Sequence, residues 1–228
     1  MMDIQENSLG KAWVSCIKLV LDKGQIEHDE DVKLSEVLGV SIKINNPNCD
    51  DAIINRFGDK HIIEHTLEKF SRNVYMPDRP FTYGQRIYDK NGVDQYAWLL
   101  HRIKNKKESK SATISLLNEG DLSQNLPCLV TLDCKIRDDK LCLQFFYRSQ
   151  NVVGRQYANF IALAKFQKDL ANDLAVSVGP MSGYIASAHI YDYDMQNARM
   201  IVNNESFELS DKFYECGPKS IREGFKGV

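Results

Sequence analysis

The sequence lacks most of the features that mark specialised classes of protein. It contains no internal repeat, no low-complexity tract and no linker rich in proline and serine, so we expect a single domain over residues 1–228. No apolar run approaches the roughly 20 residues that a membrane-spanning helix needs. The N-terminal residues MMDIQENSLG lack the basic and then apolar pattern of a signal peptide. These absences predict a cytoplasmic protein.

An excess of charge of either sign is also absent. The chain has 29 lysines and arginines against 31 aspartates and glutamates, for a formal net charge of −2. This balance argues against nucleic acid or a membrane surface as the main partner. Apolar residues make up 43% of the chain, which is ordinary for a folded protein and too high for a disordered one.

Pairs of cysteines at metal-binding spacing are missing as well. None of the six cysteines forms a C-x-x-C motif; they stand at positions 16, 49, 128, 134, 142 and 216. We therefore expect no metal bound through thiolates. Without a secretory signal, most of these cysteines should be reduced thiols.

The pattern of apolar residues predicts helices and strands in a mixed order. Helices are expected over 8–23 with Ser8 as the N-cap, and over 61–70, 94–107 and 159–174. Strands are expected over 37–44 and 183–191, with a hairpin of two strands before and after the charged turn 137–140. The acidic segment 27–31 should be a solvated turn. Without a regular βαβ repeat, this order favours the α+β class.

Several residues that say little alone form a specific series when they are taken in order. Pro127-Cys128 precedes the hairpin, Tyr147-Arg148-Ser149 ends it, Asn159 opens the next helix, and Ala188-His189-Ile190-Tyr191 follows. This series resembles the core of the thymidylate synthase and pyrimidine hydroxymethylase family. The resemblance covers about residues 80–200 and is strongest to the short archaeal-type synthases.

The resemblance implies a fold and an assembly. We expect a bent, mixed sheet with helices on one face, while the other face forms a twofold homodimer. The family places a phosphate-binding residue of the partner subunit where this chain has Lys110, so Lys110 is expected to reach the nucleotide of a second copy.

The resemblance also gives Cys128 and Arg148 their roles. A pyrimidine C5 is a poor nucleophile until a group adds at C6, and a thiolate is a strong, reversible nucleophile for that addition. Cys128 is therefore the expected nucleophile. Arg148 would favour the thiolate as a nearby cation and would also bind the substrate phosphate.

Four further residues are expected to bind the nucleotide or assist the chemistry. The amide of Asn159 can accept from uracil N3–H and donate to O4, a preference for uracil that a flipped amide would reverse. By resemblance, His189 and Tyr191 contact the sugar hydroxyl and Ser149 contacts the phosphate.

The family also has a tyrosine near the C5 proton and a glutamate that orders water at the pyrimidine O4. Tyr83 is the expected tyrosine. For the glutamate, Glu64 is preferred, although Glu68 lies one turn away on the same predicted helix and remains an alternative.

Two departures from the family pattern bear on the ligands. Asn151 stands where the family has an aspartate that pairs with the pterin, and an amide lacks the full charge of a carboxylate. Lys110-Ser111 stands where the family has two adjacent arginines, so the bidentate guanidinium forks are lost.

The expected reaction is transfer of a one-carbon unit to C5 of a pyrimidine nucleotide, most simply dUMP to dTMP. The donor would be 5,10-methylenetetrahydrofolate or a related methylene-pterin, without a metal. A pyrimidine nucleotide 5-hydroxymethylase, acting on dUMP, dCMP or CMP, is the first alternative. A non-catalytic homologue that only binds a nucleotide is the second.

Overall fold

The computed structural model describes residues 2–72, 74–76, 81–118, 126–206 and 209–224. Within these residues eight strands form one mixed sheet: β1 (Met2–Glu6), β2 (Gln25–Asp29), β3 (Val32–Ile44), β4 (Thr113–Ser115), β5 (Leu129–Arg137), β6 (Lys140–Tyr147), β7 (Gln150–Asn151) and β8 (Ser177–Tyr191). The main order is β1-β3-β8-β6-β5-β4, while β2 also pairs with β3 and β7 also pairs with β8. Both parallel and antiparallel pairs occur, so the sheet belongs to an α+β protein.

The helices of the described residues are α1 (Leu9–Lys23), α2 (Ala52–Phe57), α3 (Lys60–Phe70), α4 (Tyr83–Tyr88), α5 (Gln95–Asn105), α6 (Gln156–Asp173), α7 (Met195–Val202), α8 (Phe213–Cys216) and α9 (Lys219–Arg222). A short 3-10 turn, Asp192–Asp194, follows β8. None of these helices is long and apolar enough to cross a membrane.

One face of the hairpin is packed in the core and the other is open. Leu132, Cys134 and Ile136 of β5 are buried in the hydrophobic core, whereas Asp133 and Lys135 between them are only half-buried. The alternation follows from the two-residue period of a strand. Helices therefore cover one face of the sheet, in agreement with the sequence prediction.

Helices α1 and α6 pack against each other next to β7, and α1 also hydrogen-bonds the backbone that follows this strand. Trp13 of α1 is fully buried, and its Nε1–H donates to the carbonyl oxygen of Val152 at 2.8 Å. Its ring lies 4.8 Å from that of Tyr157 in α6. This contact fixes the chain directly after Asn151, so the position of β7 depends on the core.

β3 has a local irregularity at Gly39. Val37 and Val40 are both buried, so strict alternation breaks between them, and Gly39 there has a φ of +74°. That backbone conformation is costly for a residue with a side chain. Glycine at this position thus permits the irregularity in β3.

The predicted hairpin is confirmed in detail. Arg137 pairs with Lys140, and the two residues between them, Asp138 and Asp139, have φ values of 49° and 56°. Two consecutive left-handed residues are typical of the tight turn that matches the twist of paired strands. The open end of this hairpin then brings Cys128 next to Arg148.

Two local predictions were wrong. The segment 27–31 is not only a turn, because β2 extends to Asp29 and pairs with β3, leaving Glu30 and Asp31 at the tip. Most residues of β2 are exposed, so the strand is stabilised mainly by its backbone hydrogen bonds to β3. Because its side chains do not alternate between apolar and polar, the sequence pattern did not predict a strand here. Helix α6 starts at Gln156, which places Asn159 inside its first turn and not at its opening.

Candidate active site

Cys128 lies directly before β5, at the open end of the hairpin. Its carbonyl oxygen accepts a hydrogen bond from the backbone N–H of Arg148 at 2.9 Å, which joins the two strand ends. The thiol is half-buried. Burial raises the pKa of the Cys128 thiol, while the positive charges of Arg148 and Lys69 act in the opposite direction. Burial outweighs the two charges, so Arg148 and Lys69 favour the thiolate without making it the main form of the thiol.

The Arg148 side chain holds the segment that leads into Cys128. Its Nε donates to the Pro127 carbonyl at 3.1 Å, and its Nη2 donates to the Leu126 carbonyl at 2.7 Å. The residue itself is exposed. Its guanidinium thus faces solvent beside the thiol, where an anionic group of a ligand can reach it.

The Tyr83 hydroxyl lies close to Cys128 and is the third functional group at the open end of the hairpin, after the Cys128 thiol and the Arg148 guanidinium. Its oxygen accepts a hydrogen bond from the backbone N–H of Leu129 at 3.3 Å, and its ring packs 4.7 Å from that of Phe70. Burial, together with the nearby Cys128, raises the pKa of Tyr83. At neutral pH the hydroxyl therefore keeps its proton next to the nucleophile.

The start of α4 explains how Tyr83 is held. Thr82 and Gln85 form a capping box, in which each side chain bonds the backbone N–H of the other residue. A Cβ atom on Gly84 would lie 1.9 Å from the carbonyl oxygen of Ser71. Only glycine allows this close approach, which seats the first turn of α4 against the end of α3.

His189 and Tyr191 lie at the end of β8, with their rings 5.0 Å apart. Burial lowers the pKa of His189 to about 4, so its imidazole is neutral at neutral pH. The Tyr191 hydroxyl donates to Oδ2 of Asp29 at 2.6 Å. Tyr191 is therefore positioned by β2, the strand that sequence reasoning did not detect.

Asn159 and Ser149 are both half-buried. The backbone N–H of Asn159 donates to the Arg155 carbonyl at 3.0 Å, within the first turn of α6. Ser149 lies between β6 and β7, next to Arg148. Ser149 is thus next to a predicted site residue in sequence, whereas Asn159 is brought in by a different element, α6.

Asn151 in β7 is buried and partly unsatisfied. Its Oδ1 accepts from the backbone N–H of Gly154 at 2.8 Å, while its Nδ2 has no hydrogen-bond partner among the described residues. Asn151 lines a small cavity together with Asp194. Burial raises the pKa of Asp194 to about 6. The cavity thus combines an unused N–H donor with a carboxyl group that changes charge near neutral pH.

Glu64 and Glu68 lie on the exposed side of α3. The buried side of the same helix carries Ile62 and Phe70. Lys69 is the residue of α3 whose charge acts on the Cys128 thiol. No contact within the described residues joins either glutamate to Cys128, so the geometry does not choose between them.

Lys110 is exposed in the loop between α5 and β4. The backbone after it pairs with β5 at Asp133 and at Cys134, toward the turn end of the hairpin. Cys128 stands at the opposite end. The structure therefore does not bring Lys110 to the thiol of its own subunit.

Sequence reasoning assigned no role to three side chains, of which Tyr147 appeared only as part of the motif series. Tyr147 is fully buried and lies near Tyr83 and Cys128, and its hydroxyl has no hydrogen-bond partner in the part of the chain that the structure describes. Asp194 and Asp29 are the other two. In the hairpin register Tyr147 stands opposite Leu129, the residue after Cys128, so the predicted hairpin already indicated that Tyr147 is close to the thiol. The contacts of the two aspartates depend on tertiary packing, which the sequence pattern does not show.

Among the residues that the structure describes, no group of three or more histidine, cysteine, aspartate and glutamate side chains could hold a metal ion.

Comparisons with known proteins give one consistent family. The sequence model described as "Thymidylate synthase" matches residues 29–215, a range that contains every predicted site residue. A protein of Methanothermobacter marburgensis named "Putative thymidylate synthase" is 27% identical over 219 residues, with 89% of this chain and 98% of the relative covered. Proteins with the same name from Methanothermobacter thermautotrophicus (29% over 216 residues; 87% and 97% covered) and Methanosarcina mazei (28% over 203 residues; 87% and 94% covered) are also similar.

Proposed function

Because the chain belongs to the thymidylate synthase family and is thus a one-carbon transferase, we propose that it methylates C5 of deoxyuridine monophosphate through a covalent bond between Cys128 and C6. The observation that carries this proposal is the placement of the Cys128 thiol beside the Arg148 guanidinium and the Tyr83 hydroxyl. Nucleophile, cation and hydroxyl come from separate segments and meet at the open end of the hairpin.

Covalent addition is the first step of the proposed mechanism. The Cys128 sulfur adds to C6, and the ring electrons move toward O4, so that C5 becomes nucleophilic. Arg148 and Lys69 favour the thiolate against the effect of burial. The exposed side of the Arg148 guanidinium would bind the 5′-phosphate of the nucleotide through charge-assisted hydrogen bonds.

Base and sugar recognition would come from Asn159, His189 and Tyr191, with Ser149 at the phosphate. The Asn159 amide supplies one donor and one acceptor, which suits the O4 and N3–H edge of uracil. His189 is neutral, so one ring nitrogen can donate to a sugar hydroxyl and the other can accept. The Tyr191 hydroxyl already donates to Asp29, which leaves its oxygen to accept from a sugar hydroxyl.

Removal of the C5 proton would involve Tyr83. The raised pKa of Tyr83 argues against a free phenolate at neutral pH. Its oxygen also accepts a hydrogen bond from Leu129 N–H. We therefore assign Tyr83 to a water-mediated proton transfer, in which the hydroxyl orders the water that takes the proton. Glu64 retains its role in ordering water only through the family resemblance.

The one-carbon donor would be a methylene-carrying reduced pterin, which supplies an electrophilic carbon and then a hydride. The structure offers a test of fit, because the buried Nδ2 of Asn151 has no hydrogen-bond partner within the described ranges. This amide could donate to the carbonyl oxygen or a ring nitrogen of a pterin. A carboxylate at this position would accept from the pterin N–H groups, and Asn151 cannot supply that charge.

A homodimer completes the proposal. Phe146 and Tyr184 stack on neighbouring strands with their ring centroids 5.8 Å apart, and both are half-buried in the chain alone. Leu38 on β3 is 68% exposed. Such apolar side chains suit a sheet face that packs against a second copy. The cytoplasmic location stays a prediction from the sequence.

The test incubates the protein with uracil and cytosine nucleotides, each with methylenetetrahydrofolate, and measures product mass. A gain of one CH₂ supports the proposed synthase. A gain of CH₂O instead identifies a hydroxymethylase, and binding of nucleotide without any mass change identifies a non-catalytic homologue.

Variants of two cysteines connect this test to the mechanism. Cys128→Ser should abolish turnover and the release of tritium from a 5-tritiated uracil nucleotide, since a serine hydroxyl is a far weaker nucleophile without an adjacent base. Cys142→Ser, a half-buried thiol on β6, is the matched control and should retain activity. A 5-fluoro nucleotide should form its adduct at Cys128 alone.

A further inference from the structure

A buried hydroxyl group without a hydrogen-bond partner lies next to the proposed nucleophile. Tyr147 is the last residue of β6, and its side chain is fully buried. Its hydroxyl oxygen is closed off from solvent and has no donor or acceptor at hydrogen-bond distance among the described residues. A buried polar group in this state lowers the stability of the fold. Such a group in a native protein therefore needs an explanation, and a role in catalysis is one.

The hairpin brings Tyr147 next to Cys128. In the strand register Tyr147 stands opposite Leu129, the residue after Cys128, and both Tyr147 and Leu129 are fully buried. The backbone N–H of Arg148 then donates to the Cys128 carbonyl at 2.9 Å. Burial raises the pKa of Tyr147, and charges on Tyr83 and Cys128 raise it further. The three side chains are therefore close neighbours at the open end of the hairpin.

The other polar groups near Tyr147 already have partners. The Tyr83 oxygen accepts from Leu129 N–H, and the Arg148 guanidinium donates to two backbone carbonyls. The Tyr147 ring packs against Phe145 with the ring centroids 5.6 Å apart, which limits the directions its hydroxyl can take. Of these neighbours, the sulfur of the nucleophile gains most from a donor, because it is the group that becomes an anion.

The thiolate needs such a donor. Burial raises the pKa of the Cys128 thiol, and the charges of Arg148 and Lys69 oppose this effect without overcoming it. A hydrogen bond to an anion is stronger than one between neutral groups, so a buried hydroxyl contributes most when its neighbour ionises. Because Tyr147 keeps its proton at neutral pH, it remains a donor.

We propose that the Tyr147 hydroxyl donates a hydrogen bond to the Cys128 sulfur once the thiol has lost its proton to water. The hydroxyl that is unsatisfied beside the thiol is satisfied beside the thiolate, which favours ionisation. This inference rests on the proposed function for the role of Cys128 as nucleophile. It adds Tyr147 as a further catalytic residue.

The first experiment compares alkylation of Cys128 by iodoacetamide in the wild type and in Tyr147→Phe, quantified by peptide mass spectrometry. The variant keeps the ring and removes only the oxygen. Loss of a hydrogen bond to the thiolate should raise the pKa of Cys128 by about 1 to 2. Alkylation at pH 7.5 should then slow roughly three- to tenfold, since a more basic thiolate is also somewhat more reactive. The ratio of the two rates should fall as the pH is raised toward 10, whereas a loss of access would give the same ratio at every pH.

Urea denaturation separates this role from a structural one. Removal of an oxygen that has no partner in the native state should leave the midpoint of Tyr147→Phe unchanged or raise it. Tyr157→Phe is the matched control, because Tyr157 is also fully buried but its hydroxyl accepts from the backbone N–H of Asp59 at 3.3 Å. This control should lower the midpoint and leave alkylation of Cys128 at the wild-type rate.

The outcomes distinguish this inference from the proposed function. Equal alkylation rates in wild type and Tyr147→Phe overturn the inference and leave the function intact, even if the variant binds the nucleotide less tightly, because the hydroxyl would then pair with the ligand. A slower rate with the same ratio at every pH, or a midpoint clearly below that of the wild type, also overturns it. Absence of turnover in the wild type refutes the proposed function, while the alkylation series, which needs no turnover, still decides whether the hydrogen bond exists.

Discussion

Asp194 is a buried carboxylate whose replacement should change stability in a pH-dependent way. It is 4% exposed, and its side chain accepts a hydrogen bond from Nδ2 of Asn197 at 3.3 Å. The cations Lys212 and Arg155 face it, and so does the anion Asp211. Burial outweighs the two cations and raises the pKa of Asp194 from 3.8 to about 6. The native state therefore holds this proton more tightly than the unfolded state does.

The sign and size of the effect follow from this difference in pKa. Below about pH 3, under both pKa values, the carboxyl is protonated in both states and costs nothing. As the pH rises through about 6 the unfolded state ionises first, so the native state loses about 3 kcal/mol of stability in total. Asp194→Asn keeps the acceptor for Asn197 and removes the charge. It should raise the free energy of unfolding by about 2–3 kcal/mol at pH 7.5 and leave it unchanged below about pH 3.

Urea denaturation at a series of pH values between 4 and 8 measures this difference. Asp192→Asn, an exposed residue in the same 3-10 turn, is the matched control and should shift stability by less than about 0.5 kcal/mol at every pH. A stability difference for Asp194→Asn that does not vary with pH would refute the reasoning. So would a variant that is less stable than wild type at pH 7.5.

Three further predictions concern the active site. Arg148→Met should slow alkylation of Cys128 by iodoacetamide roughly fivefold at pH 7.5, because an exposed cation near a thiolate contributes about 1 kcal/mol; an unchanged rate, read by peptide mass spectrometry, would contradict this. Asn151→Asp should tighten tetrahydrofolate binding in calorimetry, since a carboxylate accepts charge-assisted hydrogen bonds, and weaker binding would show that the amide donor matters more. Glu64→Gln should lower kcat at least roughly 100-fold and Glu68→Gln should not, whereas the reverse result would assign the role to Glu68.

The hairpin and the helix-forming segments could be predicted because their signals are local. Apolar alternation and a charged four-residue turn specified the strands on both sides of residues 137–140. Ser8 caps α1 as predicted, since its side chain accepts from Lys11 N–H. Such features depend on residues that are close in sequence, so no knowledge of the rest of the chain was needed.

Other features depend on contacts between distant segments. β2 has exposed side chains on both faces, and only its pairing with β3 makes it a strand. The bond between Tyr191 and Asp29 joins residues 162 positions apart. The order of the motifs was therefore enough to predict the nucleophile. The side chains that position the residues around it could be identified only from the three-dimensional structure.

The place of β8 in the sheet has a consequence for how the chain can fold during synthesis. This strand pairs with β3 on one side and with β6 and β7 on the other. Without it, the sheet consists of one piece built from β1, β2 and β3 and another built from β4, β5 and β6. Because β8 follows every other strand of the described residues in sequence, the two pieces leave the ribosome before it and keep apolar faces uncovered until it is synthesised. Pairing over such long separations in sequence is slow, so the nascent protein should depend on protection from aggregation until residue 191 has emerged.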